Sequence, residues 1–198
     1  MRIIIATKNE HKTHEIRDMF APLGLEVISQ TAAGIDIDVE ETGDTFEKNA
    51  LIKARAVALV CDDCVLADDS GLCVDALDGR PGVYSARYAG EGATDLEKIE
   101  KLLGELEDKD NRSAKFVSSV AFVFPDGGEI VTRGEVLGRI IDAPLGSNGF
   151  GYDPVFYSNE LGKTFAQATA DEKNSVSHRG RALTALYDKL KDILDSEE

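Results

Sequence analysis

The sequence predicts an α/β fold built on a mixed β-sheet. Short apolar runs of strand character alternate with amphipathic stretches at helical spacing. Two β-rich runs also meet at Pro125-Asp126-Gly127-Gly128, a turn sequence that joins them as a hairpin.

The elements follow in order. Residues 2–7 form a first strand, and residues 12–21 a helix whose Ile16, Met19, Phe20 and Leu23 recur on one side before Pro22 and Gly24 close it. Residues 25–29 read as a second strand and the acidic stretch 36–44 as a turn. Asp44 with Glu47 three residues later predicts a capping-box start to a helix reaching about residue 60. Phe46, Ala50, Leu51, Ala54, Val57 and Ala58 line its apolar side, and Asn49 and Lys53 share another face. Residues 65–67 form a short strand that ends in Asp68-Asp69-Ser70-Gly71. The turn-rich Asp78-Gly79-Arg80-Pro81-Gly82 comes after residues 72–77.

Thr94 and Glu97 then bracket the start of a helix carrying Leu96, Ile99, Leu102, Leu103 and Leu106. The hairpin pairs residues 115–124 with a strand from Glu129, and residues 146–151 make a glycine-rich loop. A last helix over 178–194, capped by Ser177, presents Leu183, Leu186, Tyr187, Leu190 and Leu194. Without repeats or a long linker, residues 1–198 read as one domain, large enough for two lobes around a shared core.

Charge and composition narrow the function. Lys and Arg total 22 against 37 Asp and Glu, a net charge of −15, which opposes non-specific binding to nucleic acid or an anionic membrane. An anionic substrate therefore needs a local positive pocket or a bound cation. No apolar run of about 18 residues spans a membrane, and residues 1–7 read as a core strand rather than a signal peptide. Three cysteines give no disulfide framework, so the cytoplasm is the expected compartment. Cys61-Asp62-Asp63-Cys64 has the C-x-x-C spacing but lacks zinc partners and a thioredoxin-like setting, so it reads as a packing pair.

Four clusters at loops or element ends could carry chemistry. Thr7-Lys8-Asn9-Glu10-His11-Lys12 offers a hydroxyl, an amide, helix N–H groups and lysines to phosphate oxygens. Glu40-Glu41 with Lys53, and Asp68-Asp69-Ser70, gather hard carboxylates of the kind Mg²⁺ takes alongside phosphate oxygens. The fourth cluster joins Gly149-Phe150-Gly151-Tyr152-Asp153-Pro154 to Lys173 and Ser177-His178-Arg179, where aromatics can stack on a base and polar groups can read its edge. Its glycines match neither the P-loop nor the Rossmann pattern.

Taken in order, these clusters resemble the inosine triphosphate pyrophosphatase family (XTP/dITP diphosphatases). The resemblance runs from Ala6-Thr7-Lys8-Asn9 and Lys12, through Glu40-Glu41-Thr42-Gly43, Ala67-Asp68-Asp69-Ser70-Gly71-Leu72 and Pro81-Gly82-Val83-Tyr84-Ser85-Ala86-Arg87-Tyr88, to residues 149–154, Glu172-Lys173 and Ser177-His178-Arg179-Gly180. It implies a two-lobed α/β fold with a long mixed sheet and the active cleft between the lobes, a homodimer, and Mg²⁺-dependent cleavage between the α- and β-phosphates. Thr7, Asn9, Lys12 and Lys53 would hold the triphosphate, with Ser70 and Arg87 contacting phosphate. Glu40 and Asp69 would hold Mg²⁺, and Asp69 would also be the base for the attacking water. Phe150, Gly151, Tyr152, Asp153, Lys173, His178 and Arg179 would surround the purine. Lys8 and Asn148 depart from the family pattern, in which small residues are common. The substrates implied are ITP, dITP and XTP. Alternatives are a pyrophosphatase for other modified nucleotides and a non-catalytic purine nucleotide-binding module.

Overall fold

The computed structural model describes residues 2–196. Its strands are β1 (Arg2–Ile5), β2 (Glu26–Ser29), β3 (Cys64–Val74), β4 (Ser113–Val123), β5 (Glu129–Ile140), β6 (Phe156–Ser158) and β7 (Lys163–Thr164), in the sheet order β2-β1-β3-β4-β5-β6-β7. β1 runs parallel to both β2 and β3, whereas β5, β6 and β7 are successively antiparallel. Parallel neighbours require crossover connections. Helices α1 (Glu10–Phe20) and α2 (Phe46–Ala58) lie in those connections, and α3 (Asp95–Glu105), α4 (Ala170–Val176) and α5 (His178–Ser196) follow. The β4–β5 turn forms as expected, with Phe124 N–H donating to Gly128 O at 2.8 Å. The α/β class and the mixed sheet are as the sequence predicts.

The chain divides into two compact units, one of Met1–Asp69, Ser118–Gly134 and Arg179–Glu198, the other of Ser70–Val117 and Glu135–His178. In the first unit, strand alternation sends Ile3, Ile5, Leu66, Val120 and Phe122 to one face, against Ile16 and Phe20 of α1 and Leu183, Leu186 and Leu190 of α5. Ile4, Ala6, Val65, Ala67, Ala121 and Val123 take the opposite face, against Ala50, Ala54 and Val57 of α2. Each buried Ile, Leu or Phe contributes about 1.5–3 kcal/mol relative to exposure. The side chains of Leu23 and Leu194 lie outside the described residues. In the second unit, Leu72, Val74, Leu102, Leu106, Val136, Ile140, Phe156 and Phe165 form the core, while Leu96 faces solvent.

Several elements differ from the sequence reading. Thr45, not Asp44, caps α2: its extended backbone lets Oγ1 accept Lys48 N–H at 3.2 Å, while Asp44 pairs with the Lys48 ammonium at 2.6 Å. β3 does not stop at Ala67. It continues through Asp68-Asp69-Ser70 to Val74, because distant basic side chains compensate its buried carboxylates. A separate helix, α4, starts at a capping box between Thr169 and Glu172, and Ser177 closes it by donating its N–H to Lys173 O at 2.8 Å. Cys64 packs in β3, Cys61 Sγ donates to Val57 O at 3.3 Å, and both thiols are free. Among the described residues, no helix is long and apolar enough to cross a membrane.

Candidate active site

The site begins with strand parity. Leu66 faces α1 and α5, so Asp68, two residues on, points the same way, while Asp69 follows Ala67 toward α2. The Asp68 side chain is fully buried and charge-compensated: Lys12 Nζ lies 2.8 Å from Oδ2, and Arg179 Nε and Nη2 donate to the same oxygen at 3.3 and 3.2 Å. Ser118 Oγ donates to Oδ1, and Arg179 Nη1 also reaches Glu15. Burial opposes the carboxylate charge, but Arg179 and Lys12 outweigh it and hold Asp68 well below the ordinary carboxylate range. Burial also brings Lys12 below the usual lysine value, with Asp68 opposing that fall.

Asp69 has the opposite balance. Burial pushes its carboxyl up, and the nearby lysines offset this only in part. Lys53 Nζ lies 3.3 Å from Oδ1, whereas Oδ2 is buried without a hydrogen-bond partner among the described residues. Lys53 also donates to Glu41 Oε1 at 2.6 Å and to Asp68 O at 3.0 Å, and Lys12 approaches that same carbonyl at 3.3 Å. Although burial disfavours its charge, Asp69 and Glu41 keep Lys53 above the ordinary lysine value.

The first loop is built by capping. Thr7 Oγ1 accepts Asn9 N–H at 3.1 Å, and Asn9 Oδ1 accepts the His11 and Lys12 N–H groups at 3.0 and 3.3 Å. This fixes the start of α1, and with it Lys12. Lys8 is exposed and lies by Asp36 and Asp38, at 3.4 and 3.8 Å. Glu40 is exposed, and its neighbour Glu41 holds Lys53.

A second group lies within the other compact unit. Asp153 Oδ2 accepts Phe150 N–H at 3.0 Å and pairs with Lys173 Nζ at 2.8 Å, both side chains being nearly buried. Lys173 Nζ sits 4.8 Å from the centre of the Phe150 ring, where the ring quadrupole favours a cation. His178 stacks on Phe116 with ring centres 4.7 Å apart. Tyr152 is buried, and its hydroxyl donates to Ser85 O at 2.9 Å, so it anchors the turn. Ser70 is half-buried in β3, and the Arg87 guanidinium lies over the Tyr84 ring at 5.2 Å.

The structure therefore groups Lys12, Lys53 and Asp69 closely, and Phe150, Asp153 and Lys173 closely. Arg179, expected at the purine, bonds Asp68 and Glu15. Sequence reasoning missed Asp68 as the hub and Glu15 and Ser118 as parts of its network; the acidic pair itself was the available signal. Among the described residues, no group of three or more His, Cys, Asp or Glu forms a closed metal cage. Mg²⁺ needs no such cage, since it takes one or two carboxylates and completes its shell with water and phosphate. Asp69, whose Oδ2 is partnerless among the described residues and whose Oδ1 shares Lys53 with Glu41, fits that demand.

Fold and site together define an α/β protein with a buried carboxylate–lysine cluster on a central strand. The chain belongs to the Ham1 family, whose model matches residues 3–189. It is 48 % identical over 201 aligned residues to a dITP/XTP pyrophosphatase of Clostridium perfringens, covering 98 % of each chain. It is 50 % identical over 188 residues to another protein of that name from a Thermoanaerobacter species, covering 94 % of each. Among solved structures, a HAM1 protein from Coxiella burnetii superposes with a TM-score of 0.89 at 42 % identity, covering 97 % of this chain and 99 % of that one. The Staphylococcus aureus Ham1 protein gives 0.86 at 43 %, covering all of both chains.

Proposed function

We propose that the protein hydrolyses the non-standard purine nucleoside triphosphates ITP, dITP and XTP to monophosphate and pyrophosphate, with Mg²⁺. The carrying observation is Asp69, a buried carboxylate with one partnerless oxygen beside a charged lysine. The naming of close, full-length relatives as dITP/XTP pyrophosphatases supports the substrate class.

In this reading, Thr7, Asn9, Lys12 and Lys53 hold the triphosphate, and Ser70 and Arg87 contact phosphate. Glu40 and Asp69 hold Mg²⁺, which when bound neutralises charge on the phosphate oxygens. Asp69 orients a water and accepts its proton as the water oxygen bonds to the α-phosphorus and the bond to the bridging oxygen breaks, releasing pyrophosphate. Burial supports that role by raising the basicity of Asp69. Lys12 and Lys53 offset the charge that develops on the leaving group. Phe150, Gly151, Tyr152, Asp153, Lys173, His178 and Arg179 surround the purine, with Tyr152 acting as anchor and Arg179 also steadying Asp68. Selectivity rests on a donor to the 6-keto oxygen, which an adenine leaves unpaired.

The same reading makes the protein a cytoplasmic homodimer that removes deaminated nucleotides before they enter DNA or RNA. The test is pyrophosphate release from ITP, XTP, dITP, GTP and ATP, with Mg²⁺ and with EDTA. Mg²⁺-dependent pyrophosphate from ITP and XTP, with little from ATP or GTP, is the expected result. Orthophosphate would place the cut at the terminal bond, and no turnover at all would leave a binding module.

A further inference from the structure

We infer that Asp95 is a positioning residue for the turn that carries Phe150. This rests on the proposed reading of that turn as the purine site. Asp95 opens α3, in a region where sequence reasoning assigned no role beyond helix formation. Its Oδ2 accepts the Gly151 N–H at 2.7 Å across 56 residues of sequence. The turn is thus held by two carboxylates on consecutive amides: Asp153 takes Phe150 N–H at 3.0 Å, and Asp95 takes the next. Gly149 and Gly151 flank Phe150 with φ of +73° and +60°, so the segment uses backbone that few residues stabilise by themselves. A charged acceptor on an amide there supplies what local propensity does not.

Asp95 is itself preorganised. The Thr94–Glu97 capping box fixes where α3 begins, with Thr94 N–H donating to Glu97 Oε2 at 2.7 Å. Lys98 Nζ lies 2.7 Å from Asp95 Oδ1 and holds the carboxylate while Oδ2 reaches the turn. The chain of restraint runs from the helix cap through Lys98 and Asp95 to Gly151. It ends at the Phe150 ring, over which Lys173 sits. Asp95 is far enough out to be substituted without opening the core, since its side chain is 49 % exposed.

The experiment compares Asp95→Ala and Asp95→Asn with the unaltered protein in two ways. One is steady-state hydrolysis of ITP and ATP; the other is hydrogen exchange over residues 149–153 without nucleotide. Asn keeps an acceptor for Gly151 N–H and Ala does not. For Asp95→Ala, the KM for ITP is expected to rise about tenfold, the scale of losing a charge-assisted hydrogen bond, with kcat changed far less and exchange across the turn accelerated. Asp95→Asn, which keeps the acceptor but loses its charge and the Lys98 pair, is expected to fall between Ala and the unaltered protein in both. Unchanged exchange and KM in Asp95→Ala would overturn the inference, as would an Asn variant that behaves like Ala. If the unaltered protein releases no pyrophosphate from any nucleotide, the functional reading fails instead. The exchange comparison still decides whether Asp95 holds the turn.

Discussion

Asp68 and Asp69 are chain neighbours on β3 with opposite electrostatic fates. Asp68 faces α1 and α5, where Lys12 and Arg179 hold it far into its ionised range. Asp69 faces α2, where burial raises its carboxyl and one oxygen has no partner among the described residues. The first is held as a charged group, and the second is the one to which the proposed function gives the proton and the cation.

Asp69→Asn is expected to abolish pyrophosphate release while leaving the fold intact. Loss of a general base costs about 10²- to 10⁴-fold, and loss of a cation ligand adds to that. The raised pKa also says that the folded protein disfavours this charge at neutral pH. The neutral isostere should therefore melt at or above the unaltered temperature, a trade of stability for function. Activity and thermal unfolding in EDTA check both halves. A variant that melts well below the unaltered protein would contradict the assigned balance.

Asp68→Asn should act in the reverse sense. It removes the carboxylate that Lys12 and Arg179 share in a buried site and leaves Arg179 paired with Glu15, a loss of about 3 kcal/mol. Because the folded carboxyl titrates below its unfolded value, its stabilisation is complete above the unfolded pKa of about 3.9 and is lost as pH falls through the folded value. The gap in urea midpoints between the two proteins should be wide at neutral pH and narrow in acid. A gap independent of pH would mean that Asp68 does not titrate as described.

His178 and Arg179 are adjacent in sequence but separable in effect. His178 stacks on Phe116 in one compact unit, while Arg179 binds Asp68 and Glu15 in the other. His178→Ala is expected to lower the preference for ITP over ATP with a modest loss of stability. Arg179→Ala is expected to unfold early, by about 3 kcal/mol, because buried Asp68 is left with Lys12 as its cation and half-buried Glu15 loses its bond to Arg179. Ratios of kcat/KM together with Tm values separate the two. Equal shifts in both variants would put the residues back into one role.

Much of this arrangement was legible because buried strands are apolar runs and helices impose caps. The apolar run 65–67 marks the strand that carries Asp68 and Asp69, and the Thr94–Glu97 box is local chemistry. What stayed hidden depended on partners far along the chain. Asp-Asp reads as a strand end because isolated strands disfavour such charges, yet Lys12 and Arg179, 56 and 111 residues away, let β3 continue through it. The Glu41–Lys53 pair, rather than one with Glu40, follows from the path of a loop with no periodicity to read. Nothing local marks Asp95 beyond its place in the first turn of α3, because its acceptor role lies in a turn 56 residues on.

Gly149 provides the sharpest test of the Phe150 turn. A Cβ there would lie 2.0 Å from Asp153 Oδ2, and the residue has φ of +73°. Asp153 cannot simply move aside, because the same oxygen accepts Phe150 N–H and pairs with Lys173. Gly151 offers the matched comparison: φ is +60°, yet a Cβ there meets nothing within 4 Å. Gly151→Ala therefore bears only the left-handed backbone cost of about 1–2 kcal/mol. Gly149→Ala bears that cost plus loss of the Asp153 network. Its KM for ITP should rise well beyond that of Gly151→Ala, by about tenfold or more for the broken charge-assisted bonds. Equal effects from the two alanines would assign the whole penalty to backbone strain and remove Asp153 from the positioning of Phe150.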